Sequence, residues 1–163
     1  MRQWIQVFFA ALVLLSGPTA CAQEPAERVE ERQPATEELP PMVVYKSPTC
    51  GCCKLWVVHM RRFGFQVEAH DVQDMGAVKA DAGIPYSLGS CHTARVGDYF
   101  IEGHVPADDV KRLLSEKPDA RGLTVPGMPI GSPGMEQGDR REPYDVLLVA
   151  EDGTTTVYAH HGD

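Results

Sequence analysis

Three cysteines within four positions are the part of this sequence best suited to chemistry. They are Cys50, Cys52 and Cys53, in the stretch SPTCGCCKLW at residues 47–56. Thiolates attack disulfides and bind soft metal ions. Cys50 and Cys53 have the spacing of a redox Cys-x-x-Cys pair, and Cys52 is a thiol that such a pair does not need. The motif therefore fits either thiol exchange or a metal site.

The elements around this motif place it between a strand and a helix. A β-branched, aromatic run predicts a strand at residues 42–46, and three-and-four apolar spacing predicts a helix over residues 53–63 that stops at Gly64. We predict further strands at residues 65–72, 93–96 and 99–102, helices at residues 74–82 and from Pro106 to about Lys117, a Gly/Pro-rich loop over residues 118–143, and a last hairpin at residues 144–150 and 154–160.

This order predicts an α/β fold of thioredoxin-like topology. We expect a mixed sheet with flanking helices, followed by the Gly/Pro-rich loop and the C-terminal β-hairpin. In that topology the loop before residues 93–96 packs against the Cys-x-x-Cys turn. Cys91, in the sequence SCHT, should therefore lie close to the other three thiols. A helix N-terminus at the motif would favour the thiolate form.

Several uses of four thiols stay open at this point. Structural disulfides are common in exported proteins, but closely spaced cysteines make strained bridges. An oxidoreductase needs Cys50 and Cys53 alone, and Cys52 and Cys91 would interfere with the exchange. Structural zinc prefers two well-separated Cys-x-x-Cys pairs, which this spacing does not provide. An iron–sulfur cluster needs assembly machinery. Soft Cu(I), bridged by thiolates, uses all four sulfurs and is the favoured metal.

Histidine and methionine side chains are secondary ligand candidates. His92 adjoins Cys91, His104 lies before the helix that Pro106 opens, and Met128 and Met135 lie in the Gly/Pro-rich loop. Imidazoles and thioethers both bind copper, although packing roles suit these residues as well. The remaining histidines are predicted to pack or to lie on the surface: His59, His70, His160 and His161. Two aromatic side chains, Trp56 and Phe63, are predicted to join the core.

The N-terminal residues resemble an export signal. Arg2 precedes an apolar run that is too short to span a bilayer, and Ala20-Cys21-Ala22 is an A-x-A cleavage site. Alternatively, Cys21 is the lipidated cysteine of a lipoprotein. We therefore predict a leader at residues 1–22, a disordered acidic Pro/Glu tether at residues 23–41 and a metal-binding domain at residues 42–163. The net charge of −8 argues against nucleic-acid binding.

Four motifs together resemble the bacterial CopG family of exported copper-resistance proteins. They are YKSPTCGCCK at residues 45–54, SCHTA at residues 90–94, IEGHVPA at residues 101–107, and the stretch from Gly122-Leu123 to Gly134-Met135-Glu136. The resemblance covers residues 42–163. It implies a thioredoxin-like domain that binds Cu(I) through the four cysteines as a multi-copper thiolate cluster, a role in periplasmic copper tolerance, and redox chemistry as a further option.

The predicted function is therefore an exported copper-binding protein of a Gram-negative-type bacterium. The sequence favours a binding protein over an enzyme and assigns no catalytic residue. The alternative is a thiol–disulfide or copper oxidoreductase that uses Cys50 and Cys53. The expected partners are copper ions, with copper efflux or chaperone proteins as further candidates. We expect membrane contact only through a lipid on Cys21, if that residue is lipidated.

Overall fold

A computed structural model describes residues 38–162 as an α/β domain built on one mixed sheet. The predicted leader, Cys21 and most of the predicted tether lie outside the described residues. The strands are β1 (Met42–Lys46), β2 (Val67–Asp71), β3 (His92–Val96), β4 (Tyr99–Glu102), β5 (Gly122–Thr124), β6 (Tyr144–Val149) and β7 (Thr155–His161). The helices are α1 (Gly51–Arg62), α2 (Met75–Asp81) and α3 (Ala107–Glu116).

The sheet has the order β2-β1-β3-β4-β5-β6-β7. β1 and β2 are parallel, β3 runs antiparallel to both β1 and β4, and β5 is parallel to β4. The predicted α/β class is confirmed, and the first seven predicted elements occur in the predicted order. A short 3₁₀ turn at Tyr86–Leu88 separates α2 from β3.

Helices cover both faces of the sheet near β3. On one face, Trp56 of α1 packs against His92, with ring centroids 4.4 Å apart. On the other face, α2 directs Lys79 toward Thr93 and Asp81 toward Arg95. Successive residues of a strand point to opposite faces of the sheet. The adjacent β3 residues His92 and Thr93 therefore face different helices. Among residues 38–162 no helix is long and apolar enough to cross a membrane.

The buried face of α1 differs in part from the predicted one. Trp56 and Met60 are fully buried, as expected, and Cys53 and Val57 join them. Phe63 was predicted to be a core residue, and this prediction is wrong. The helix ends at Arg62, so Phe63 lies at the C-cap with 38% of its surface exposed and its ring packed at a tilt against His59.

The segment predicted as an irregular loop contains a strand. β5 occupies residues 122–124 and pairs with β4 on one side and β6 on the other. It joins the C-terminal hairpin to the rest of the sheet. Gly122 is required there, because a Cβ at this position would lie 2.0 Å from the Phe100 carbonyl oxygen. The irregular segment that remains, residues 125–143, is called the covering loop below.

Candidate metal centre

The first turn of α1 carries the cysteine motif. The helix begins at Gly51, two residues earlier than predicted, and Cys50 is its N-cap. The Cys53 backbone N–H points at the Cys50 Sγ, 3.3 Å away. The sulfur thus takes the place that a Ser or Asp oxygen holds at other helix starts. Free N–H groups in this turn and the helix dipole both favour negative charge on sulfur.

Two of the four sulfurs are joined, and two are free. Cys50 and Cys53 form a disulfide, whereas Cys52 and Cys91 are thiols. The Cys52 Sγ lies 3.5 Å from the Cys50 Sγ, and the Cys53 Sγ lies 3.7 Å from the Cys91 carbonyl oxygen. All four sulfurs lie within 4.8 Å of one another. The structure therefore brings together the four cysteines that the topology argument placed together.

Cys91 also contacts two histidines. Its Sγ lies 3.0 Å from the His104 Nε2 and 3.3 Å from the His92 Nδ1. The His104 Nδ1 lies 2.8 Å from the Pro133 carbonyl oxygen, which can only accept, so Nδ1 carries the proton and donates it. The His104 Nε2 therefore presents a lone pair to the Cys91 sulfur. This orientation, fixed by a carbonyl on the far side of the ring, is typical of metal-binding histidines.

His92 is buried on every side. Its ring packs between Trp56 and His104, and its Nε2 has no hydrogen-bond partner among the described residues. Since the Cys91 thiol hydrogen can go to the His104 Nε2, the His92 Nδ1 can carry a proton and donate it to the sulfur. The buried Nε2 is then a bare lone pair, which costs less than an orphaned N–H.

The acid–base state of this cluster is set by burial. Burial lowers the pKa of His104, and it lowers that of His92 well below the ordinary value, so both rings are neutral at pH 7. Burial, reinforced by the neighbouring Cys52, raises the pKa of the Cys91 thiol to about 12. In the metal-free state Cys91 is therefore a protonated thiol, and a metal ion has to displace its proton.

The covering loop packs directly on the start of α1. A Cβ at Gly134 would lie 2.8 Å from both the Cys52 carbonyl oxygen and the Trp56 backbone nitrogen. The Pro133 carbonyl is the His104 partner. Met128 is 52% exposed and Met135 is half-buried, and both lie on this loop. The sequence indicated the two methionines as ligand candidates but not the backbone groups of residues 133–134, which carry no side-chain signal.

The other histidines have contacts elsewhere. The His59 Nε2 accepts a hydrogen bond from the Ala107 N–H at the start of α3, at 3.2 Å. His70 is an exposed strand residue beside Glu68. His160 and His161 of β7 approach Asp145 and Asp109, at 2.5 and 2.7 Å respectively. These four histidines lie outside both groups of residues that could hold a metal: Cys50, Cys52, Cys53 and Cys91; and Cys91, His92 and His104.

The donors suit a soft metal. Sulfur dominates the group, and neutral imidazoles complete it. The distances among the sulfurs would also accept tetrahedral zinc, so geometry does not select the ion by itself. Full use of the four sulfurs requires reduction of the Cys50–Cys53 bond, because only thiolates bind metal ions strongly.

The chain is similar to proteins of known structure. Residues 88–135 match the family described as "Protein of unknown function, DUF411". No curated protein matches the chain. A solved structure titled "Copper resistance protein copG- Form 1" is 46% identical, covers 77% of this chain and 100% of its own, and has a TM-score of 0.73. Its Form 2 is 47% identical, with 76% and 99% coverage and a TM-score of 0.73.

The fold and the sulfur-rich site define an α/β protein equipped for a soft metal. At this level of identity and coverage, the chain belongs to the CopG family of copper resistance proteins. Its cysteine cluster fits copper binding and copper tolerance. The matched stretch at residues 88–135 includes Cys91, both histidines of the cluster and both loop methionines, but not the cysteines of α1.

Proposed function

We propose that this chain is an exported protein that holds Cu(I) in a multinuclear thiolate site and thereby contributes to copper tolerance. The observation that carries the proposal is the approach of four sulfurs to within 4.8 Å of one another. Three of them come from the N-cap and first turn of one helix, so they are crowded on one side of the site. Thiolates that bridge neighbouring Cu(I) ions use such a crowded set fully.

The histidines and methionines extend this site. His92 and His104 flank Cys91 with neutral rings, and either could complete the coordination of an ion bound at that sulfur. Met128 and Met135 are proposed to bind or capture copper from the covering loop. Export through the leader at residues 1–22, periplasmic location, a lipid at Cys21 and contact with efflux or chaperone proteins all belong to this proposal.

Anaerobic titration tests the proposal. The reduced protein is loaded with Cu(I) against a competing chelator, and copper per chain is counted. We expect more than one tightly held Cu(I) per chain, with a large loss in Cys52→Ser and Cys91→Ser. His70→Asn, at an exposed histidine, is the matched control and should bind as wild type. One ion per chain, unaffected by Cys91→Ser, would contradict the proposal.

A second candidate function rests on the disulfide. Cys50 and Cys53 are already joined, which favours an oxidoreductase in which this bond is the working group. Two Cu(I) ions could each give one electron, so that the S–S bond breaks, two thiolates form and two Cu(II) ions result. Alternatively, a substrate thiolate attacks the half-buried Cys50, and Cys53 leaves as the thiolate.

The raised pKa of Cys91 bears on this alternative. As a protonated thiol, Cys91 would not compete for a mixed disulfide at neutral pH. An insulin-reduction assay separates the two functions, with Cys50→Ser as the inactive control. Activity that survives in the double variant Cys52→Ser/Cys91→Ser supports the oxidoreductase. Activity absent from the wild type, together with tight Cu(I) binding, supports the binding protein.

A further inference from the structure

A buried carboxylate lies on the opposite side of the sheet from His92, beside the chain segment that contains Cys91. Glu102, the last residue of β4, is fully buried. A buried charge is costly unless it is paired and hydrogen-bonded. Glu102 has both, because Lys79 of α2 forms an ion pair with its Oε1 and the Thr93 hydroxyl donates to its Oε2 at 2.6 Å.

The third partner of this carboxylate belongs to the cysteine loop. The Ser90 backbone N–H donates to the Glu102 Oε1 at 2.5 Å. Ser90 directly precedes Cys91, and Thr93 follows it by two residues. One carboxylate therefore holds the chain on both sides of Cys91. Because Glu102 also precedes His104 by two residues, it ties the segment that carries the thiol to the strand end that carries the imidazole.

The backbone around this contact leaves little room for adjustment. Gly103 has a φ of +72°, and a Cβ there would lie 2.5 Å from the Ser90 Oγ and 2.7 Å from the Val125 carbonyl oxygen. The Gly103 N–H donates to the His92 carbonyl at 3.0 Å, and the Ser90 hydroxyl donates to the Gly127 carbonyl. Residues 90 and 92 are thus both bonded to residues 102–103, Ser90 is also bonded to the covering loop, and Glu102 is the only charged group in these described contacts.

We propose that Glu102, neutralised by Lys79, is the positioning residue that sets the Cys91 sulfur against His104 and the cysteines of α1. The effect of Glu102 on copper binding rests on the proposed function, but the placement of Cys91 is testable without copper. Residues that hold metal ligands in place without touching the metal commonly weaken metal affinity by roughly 10- to 100-fold when they are removed.

A thiol-reactivity measurement tests the positioning directly. In the reduced, metal-free full-length protein, alkylation rates of Cys91 and Cys52 are compared by mass spectrometry. We expect Glu102→Ala to raise the Cys91 rate several-fold relative to Cys52, because a released thiol is more accessible, and Glu102→Gln to restore part of the difference. Thr93→Val and Lys79→Met should act in the same direction. Equal acceleration at both cysteines, or none at either in a folded variant, would overturn the proposal.

A second ion pair of α2, exposed and outside this network, offers a matched control. Asp81 of α2 pairs with Arg95 of β3 at 3.1 Å on the exposed surface. Asp81→Asn should leave the Cys91 rate within about twofold of wild type, since exposed ion pairs contribute little. If Glu102→Ala does not fold, Thr93→Val and Lys79→Met decide the question by the same rates.

Copper retention is then measured against a chelator in the same variants. Roughly 10-fold weaker Cu(I) retention in Glu102→Ala, with wild-type retention in Asp81→Asn, supports the link to the site. If the wild type itself retains no copper, the proposed function fails, while the alkylation rates still decide the positioning. Wild-type Cu(I) retention in a folded Glu102→Ala variant would show that Glu102 does not affect copper binding.

Discussion

The Cys91 Sγ and the His104 Nε2 lie 3.0 Å apart, with the imidazole lone pair directed at the sulfur. The contact depends on three separate chain segments. Cys91 precedes β3, His104 follows β4, and the Pro133 carbonyl of the covering loop fixes the histidine tautomer. The site is therefore assembled by tertiary structure rather than by the cysteine motif alone.

If His104 supports copper at Cys91, its replacement weakens binding without removing a thiol. We expect His104→Asn to reduce Cu(I) affinity roughly 10-fold, because the sulfur loses its neighbouring imidazole. Chelator competition under anaerobic conditions measures the change, and circular dichroism checks the fold. His70→Asn is the control, since His70 is an exposed histidine outside the cluster. Equal affinities in the two variants would exclude His104 from the site.

Copper loading should release protons. The pKa of Cys91 is raised to about 12, so at pH 7 the thiol must lose its proton when copper binds. We expect the apparent affinity to rise with pH between 6 and 9 and proton release to be measurable in weak buffer. Cys91→Ser should release about one proton fewer per chain. Proton release unchanged by this substitution would show that Cys91 does not bind the metal.

The partial burial of His59 should make stability depend on pH. Burial lowers the pKa of His59 below its ordinary value of 6.5, so the unfolded chain takes up the proton first as pH falls. Stability is then complete above about pH 6.5 and decreases below it, until the folded pKa is passed. Denaturant midpoints from pH 8 to pH 5 measure this.

His59→Gln provides the comparison for that prediction. The glutamine oxygen can still accept from the Ala107 N–H but does not titrate in this range. We expect the variant to lose part of the pH dependence. The remainder comes from His92 and His104, whose pKa values are also lowered. An unchanged pH profile would mean that His59 keeps its ordinary pKa.

Two glycines of the covering loop allow the contact with α1 to be measured. Gly134 and Gly127 have φ values of +87° and +74°, so alanine is strained at either position by about 1–3 kcal/mol. Only at Gly134 would the new Cβ meet the backbone of α1. We expect Gly134→Ala to destabilise the protein by at least about 1 kcal/mol more than Gly127→Ala. Equal losses in the free energy of unfolding would show that the packing of the loop on α1 does not stabilise the protein.

The sequence was most informative where residue composition and turn residues mark a short element. β1 and β4 have the predicted bounds, because their short β-branched and aromatic runs end at clear turn residues. The predicted second helix also occurs, and Asp74 is its N-cap, with its side chain accepting from the Ala77 N–H at 3.0 Å. α1 begins two residues early, because a cysteine sulfur serves as its N-cap and cysteine is not an expected cap residue.

The features that the sequence did not predict depend on contacts between distant parts of the chain. β5 has three residues and begins with glycine, so no periodicity could reveal it, and its neighbours on both sides supply the hydrogen bonds. The approach of Cys91 to the motif followed from topology. The role of Pro133 and the buried Lys79–Glu102 pair did not, because a backbone carbonyl and a pair of distant charges leave no local pattern.

The missed strand has a consequence for the covering loop. β5 and β6 are hydrogen-bonded neighbours, with Thr124 opposite Leu147, so the two strands that flank the loop are joined directly to each other. The β5 end of the loop adjoins this ladder, and the other end enters β6 at Tyr144, which pairs with His161 of β7. A protease that nicks the loop should therefore leave two fragments that stay associated through the hydrogen bonds between β5 and β6.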